Sequence, residues 1–224
     1  MTSDEGPCFA SGYESAAKQL VSEGVVDPEK IGIIGFSRTC FYVMKMLTTD
    51  TLPLRAASIT DGVTLDYLQY LIQAGPDGQA PLEDDEMIGT KPFGEGLQQW
   101  LRRSPGFNLE KVTAPLSIVG EGPFGTLIMW QSYAGLRYLH KPVDLIMLNM
   151  ENGKGTLPFE HVLTNPGFRL ASQGGSVDWF RFWLQDYEDP NPAKKEQYVR
   201  WRELRKLQEK NARQPQQINP PPVP

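Results

Sequence analysis

Serine, imidazole and carboxylate together make and break acyl bonds, and this sequence holds a few residues able to supply each. The segment Gly35-Phe36-Ser37-Arg38-Thr39 follows an apolar run at 31–35 and precedes a helix-compatible stretch at 38–47. In that context a tight strand-to-helix turn lifts a serine hydroxyl above a sheet. Gly35 gives the turn steric relief, and the Arg38 amide, at the helix start, is placed to donate to an oxyanion. Thr39 stands where such turns usually carry a second glycine. A serine hydroxyl is a weak nucleophile until a base removes its proton. The chain has two histidines, His140 and His161. Ligands of open α/β sheets gather outside the carboxyl ends of the strands. His161 follows the last strand in a Gly/Pro-containing loop, 151–166, whereas His140 precedes that strand, at the opposite end of the sheet. His161 is therefore the expected base. The third member is an acid that holds the imidazole. Glu121 is the one carboxylate in the loop at 120–125, and it keeps the chain order Ser, acid, His of this kind of site. Asp61, after an earlier strand candidate, is the alternative. Each of these residues also has a plainer reading, as a loop residue held by local hydrogen bonds.

The elements that must position these side chains alternate between two periodicities. A helix is expected over 13–23, stopped by Gly24. The turn Asp27-Pro28-Glu29-Lys30 then opens the first strand, Ile31-Gly32-Ile33-Ile34-Gly35, whose unbroken apolar character suits burial on both faces. Further strands are expected at 56–60, 116–120 and 143–148. Helical stretches are expected at 65–72, 96–103, 129–139 and 177–185, and an acidic loop at 83–86. Strands alternating with helices imply parallel βαβ units with right-handed crossovers. The fold class is thus α/β, a mostly parallel sheet of about four strands with helices on both faces. Residues 1–190 read as this domain and 191–213 as a basic amphipathic helix with Tyr198, Trp201, Leu204 and Leu207 on one side. Residues 214–224, rich in proline, read as a disordered tail.

Composition excludes several classes. The net charge of −5 is no footprint of a nucleic-acid binder. No apolar run approaches the roughly 20 residues of a membrane span. Residues 1–8 lack the basic start and apolar stretch of a signal peptide, which leaves the compartment unknown. Cys8 and Cys40 are far apart and lack metal-ligand spacing, so neither a disulfide framework nor a metal site is expected.

The sequence resembles the catalytic domain of the prolyl oligopeptidase family of serine peptidases. The residues that carry the likeness are the 13–23 helix, Asp27-Pro28-Glu29-Lys30-Ile31, Gly35-Phe36-Ser37, and Val177-Asp178-Trp179-Phe180. Gly35 to Thr39, Glu121, and the segment with His161, Arg169, Ser172 and Trp179 are most similar to the lasso-peptide isopeptidase branch. The resemblance implies hydrolysis of peptide or isopeptide bonds through a serine acyl-enzyme, without metal or organic cofactor. Two departures stand out: Thr39 replaces the usual glycine, and the family's usual aspartate at the third-strand loop is missing. The resemblance covers only the last strands of the family's sheet, without the propeller or the loop that gives the second oxyanion donor. The expectation is a fragment with an uncovered first strand and little turnover by itself. An inactive remnant that binds peptides, or an esterase, are the alternative readings.

Overall fold

The computed structural model describes residues 2–49, 52–75, 82–149 and 161–213. The tail at 214–224 and most of the loop at 151–166 lie outside the described residues. In chain order the elements are α1 (Glu5–Ser22), β1 (Gly32–Phe36), α2 (Thr39–Thr49), β2 (Ala56–Thr60), α3 (Tyr67–Gln73), α4 (Leu82–Ile88), α5 (Leu97–Arg103), β3 (Leu116–Glu121), α6 (Gly122–Ile128), α7 (Trp130–Tyr138), β4 (Val143–Leu148), α8 (Pro166–Arg169), α9 (Gly175–Gln185) and α10 (Lys195–Arg213). A π-helical turn, Leu170–Gly174, joins α8 to α9.

The four strands form one parallel sheet in the order β1-β2-β3-β4. Ala57 pairs with Leu116 and Leu116 with Val143, while Ile59 pairs with Ile118 and Ile118 with Leu145. This register lines up same-face side chains across the strands, and with Cys40, Val43, Met44, Met129 and Leu136 they form the main core under α1, α2 and α7. On the opposite face Ala56 meets Trp179 and Phe182 of α9 and Tyr198, Trp201 and Leu204 of α10. The Trp201 indole N–H donates to Asp144 of β4 at 2.6 Å, which anchors α10 across the sheet.

Three local expectations change. Among the described residues β1 is an edge strand and is not buried on both faces: Ile34 is 59% and Phe36 41% exposed. Its run of isoleucines has a neighbour on one side, β2, among the described residues. The acidic segment at 83–86 is not a loop but part of α4, with Glu83, Asp84 and Asp85 in its first turn. Carboxylates there suit the helix dipole, and Met87 and Ile88 are buried against Trp100 and Tyr70. α1 begins eight residues earlier than the 13–23 periodicity predicts, and carries Glu5 to the elbow.

Candidate active site

β1 ends at Phe36 and α2 starts at Thr39, so the chain reverses over Ser37 and Arg38. Ser37 has φ 55°, in the left-handed region that a non-glycine residue adopts only under constraint. The constraint is a set of backbone bonds. The Ser37 N–H donates to the Thr60 carbonyl at 3.1 Å, and the Ser37 carbonyl accepts from Cys40 at 3.1 Å and Val63 at 3.2 Å. Gly35 is required where the turn doubles back, because a Cβ there would lie 2.9 Å from Val43 and 3.0 Å from the Cys40 backbone. Gly62 is required on the other side, where a Cβ would stand 2.1 Å from the Cys40 sulfur. Cys40 itself is fully buried; its thiol donates to the Thr60 carbonyl at 3.4 Å, and burial pushes it up to about 12.

Arg38 has two parts with different surroundings. Its amide makes no backbone–backbone hydrogen bond among the described residues. Its guanidinium reaches Glu5 of α1 at 2.6 and 2.8 Å, the Tyr42 hydroxyl at 3.2 Å and Glu83 of α4 at 3.4 Å. Tyr42 also bonds Glu5. The residue after the serine thus ties two helices to the elbow.

Above the elbow, His161 Nε2 lies 2.7 Å from Ser37 Oγ, and His161 Nδ1 lies 2.8 Å from Asp61 Oδ2. His140 is elsewhere, in the turn between α7 and β4, where its carbonyl accepts from Asn211 of α10. The carboxylate bonded to the imidazole is Asp61, the alternative acid, in place of the Glu121 expected from loop position and chain order. Strand order gives the reason. β2 is the immediate neighbour of β1, with Phe36 beside Thr60, so Asp61 is one strand spacing from Ser37 while Glu121 is two. Glu121 is still close: one oxygen of each carboxylate and a nitrogen of His161 all lie within 4.8 Å of one another. These three are also the group, among the described residues, that could together hold a metal ion.

Asp61 is buried, at 2% exposure, and has φ 42°, a conformation that aspartate tolerates better than most residues. Its carboxyl is pushed upward by burial; the hydrogen bond and charge of His161, and the Glu121 amide, oppose that shift. Phe36 stacks on the imidazole with ring centroids 4.9 Å apart and planes inclined by 21°. Beside this group opens a cavity of about 440 Å³, bordered by Ile34, Phe36, Val162, Leu163 and Arg169. The arrangement can take a proton from Ser37, hold it on an imidazolium, and return it to a leaving group.

No family model matches the chain. It is 30% identical over 205 residues to lasso peptide isopeptidase AtxE2 of Asticcacaulis excentricus, covering 88% of this chain and 27% of that protein. The structure of AtxE2 isopeptidase with Astexin3-dC4 bound superimposes with a TM-score of 0.73 at 27% identity, covering 91% of this chain and 29% of that one. Across about nine-tenths of its own length the chain is thus similar, in sequence and in fold, to a lasso peptide isopeptidase. The acylaminoacyl peptidase of Pyrococcus horikoshii shares the fold, with a TM-score of 0.58 at 21% identity over 80% of this chain and 28% of that chain. The chain spans under a third of the length of each of these relatives.

Proposed function

We propose that the chain carries the nucleophile, base and acid of a serine peptidase acting on peptide or isopeptide bonds. The observation that supports this reading most is the unbroken relay from Asp61 Oδ2 through His161 to Ser37 Oγ, at 2.8 and 2.7 Å. In the first step Ser37 Oγ bonds to the scissile carbonyl carbon while its proton passes to His161 Nε2. The carbonyl oxygen becomes an oxyanion facing the Arg38 amide. Collapse expels the amine, which takes the proton from His161 and leaves an acyl-serine. A water molecule then repeats the sequence, giving up its proton to His161 and releasing the acid and free Ser37. Asp61 keeps Nδ1 protonated and offsets the imidazolium charge. Isopeptides enter the proposal because a relative is a lasso peptide isopeptidase.

The test uses the 224-residue chain and a fluorophosphonate probe, with intact-mass and peptide mapping. One adduct on Ser37 is expected, with none in Ser37→Ala. His161→Ala should label at a small fraction of the parent rate, whereas His140→Ala should label normally. Equal labelling of Ser37→Ala, or loss confined to His140→Ala, would refute the assignment.

A further inference from the structure

The threonine in place of the usual elbow glycine has a structural role that bears on the base. The Thr39 hydroxyl donates to the Phe36 carbonyl at 2.6 Å, and the Phe36 N–H donates to Thr39 Oγ1 at 2.7 Å. Phe36 is the last residue of β1, and on the open side of that strand no other strand reaches it among the described residues. Thr39 therefore satisfies both backbone groups of Phe36, for which a glycine would have no side-chain partner to offer. The residue so fixed carries the ring that stacks on His161 at 4.9 Å and 21°.

The geometry points to Phe36 as a positioning residue for the catalytic base, with Thr39 as the clamp that holds it. His161 is bonded at both nitrogens, which fixes two points in its ring plane, while its side chain is still 41% exposed. A flat neighbour on one face restricts the remaining freedom, tilting about the line through those bonds. It also acts in the right direction during the reaction. Taking the Ser37 proton turns the imidazole into a cation, and the face of an aromatic ring attracts a cation. The contact is thus stronger after proton transfer than before it, the condition for accelerating the step rather than only binding. Phe36 is 41% exposed and Thr39 is exposed, so neither is needed to fill the core.

This inference rests on the serine-hydrolase reading for its rate effect but not for the stack itself, and two readouts separate them. The first is the proton NMR signal of the His161 ring carbon protons, with His140 as internal reference; the second is the rate constant for fluorophosphonate labelling of Ser37. In the unsubstituted chain the His161 signals should be displaced upfield by the Phe36 ring current. Phe36→Leu should abolish that displacement and slow labelling by about two- to fivefold, the size of an exposed ring–cation contact. Thr39→Val, which removes the hydroxyl and keeps the shape, should weaken both in the same direction, and Thr39→Ser should restore both. Unmoved His161 signals in Phe36→Leu would overturn the stack. A lost displacement with unchanged labelling would overturn the role in proton transfer. If the parent chain does not label at all while the ring-current shift is present, the hydrolase reading fails and the stack stands.

Discussion

At the scale of single residues, the acid is where the sequence and the structure diverge. Glu121 ends β3 and Asp61 directly follows β2, and both are almost fully buried, Asp61 at 2% and Glu121 at 1% exposure. Asp61 makes the direct bond to Nδ1, so its removal should cost most. Asp61→Asn keeps the shape and tolerates φ 42°, but an amide neither carries the charge nor enforces the tautomer. It should lower the labelling rate of Ser37 by about 10³–10⁴. Glu121→Gln removes a charge that acts from farther off and should cost about tenfold, in keeping with a screened charge–charge interaction. Measured rate constants for the two variants decide the matter, and the reverse ranking would return the imidazole to Glu121. That Ser37 and His161 come together, at 2.7 Å, was legible from local context: an apolar strand, a glycine, a helix start, and a scarcity of histidines. Choosing between two acids was not, because it depends on which strand lies beside β1. Loop composition made Glu121 conspicuous, whereas Asp61 owes its place to the register Phe36–Thr60, which no single segment encodes.

At the scale of elements, the strands and most helices lie where the sequence places them, and α1 and α4 are the exceptions. The strands expected at 56–60 and 143–148 match β2 and β4, because short β-branched or apolar runs between turn residues admit few alternatives. α4 was hidden because Glu83-Asp84-Asp85-Glu86 gives no apolar period; its burial comes from Met87 and Ile88 at the end of the helix. The π-turn at 170–174 left no mark in the sequence, yet it aims α9 so that Ser176 meets Ser58 at 3.0 Å through their hydroxyls. α10 offers the sharpest test at this scale. Trp201 is fully buried, packs edge-on against Trp179 at 5.1 Å and bonds Asp144. Trp201→Ala should cost about 3–5 kcal/mol, as for other large-to-small core changes. Urea titration would measure it. A loss under 1 kcal/mol would mean that α10 is dispensable to the sheet it covers.

At the scale of the whole molecule, stability should depend on pH in an unusual direction. Asp84 is buried on α4 and its carboxyl is pushed up to about 7, by burial first and then by Asp85, Glu83 and Asp66, with Arg38 opposing. Asp66 is pushed up to about 6, mainly by burial. A carboxyl raised in the folded state binds its proton more tightly there than in the unfolded chain. The stabilisation is therefore complete below the unfolded value of about 4 and is lost as pH climbs through 6 to 7. Thermal midpoints should fall between pH 5 and pH 8, and Asp84→Asn should flatten that slope and raise the midpoint at pH 8. An unchanged slope in Asp84→Asn would remove Asp84 from the account.

The thiol beneath the elbow gives the molecule a clock. Cys8 is exposed and Cys40 is buried, so an alkylating reagent meets one sulfur at once and the other only after the turn lifts away from Gly62. Because that turn also holds Ser37 at its left-handed angle, the alkylation rate of Cys40 counts how often Ser37 leaves that geometry. Under fast reclosing, the ratio of that rate to the rate of a free thiol is the equilibrium constant for opening the elbow, obtained without adding any label to the site itself.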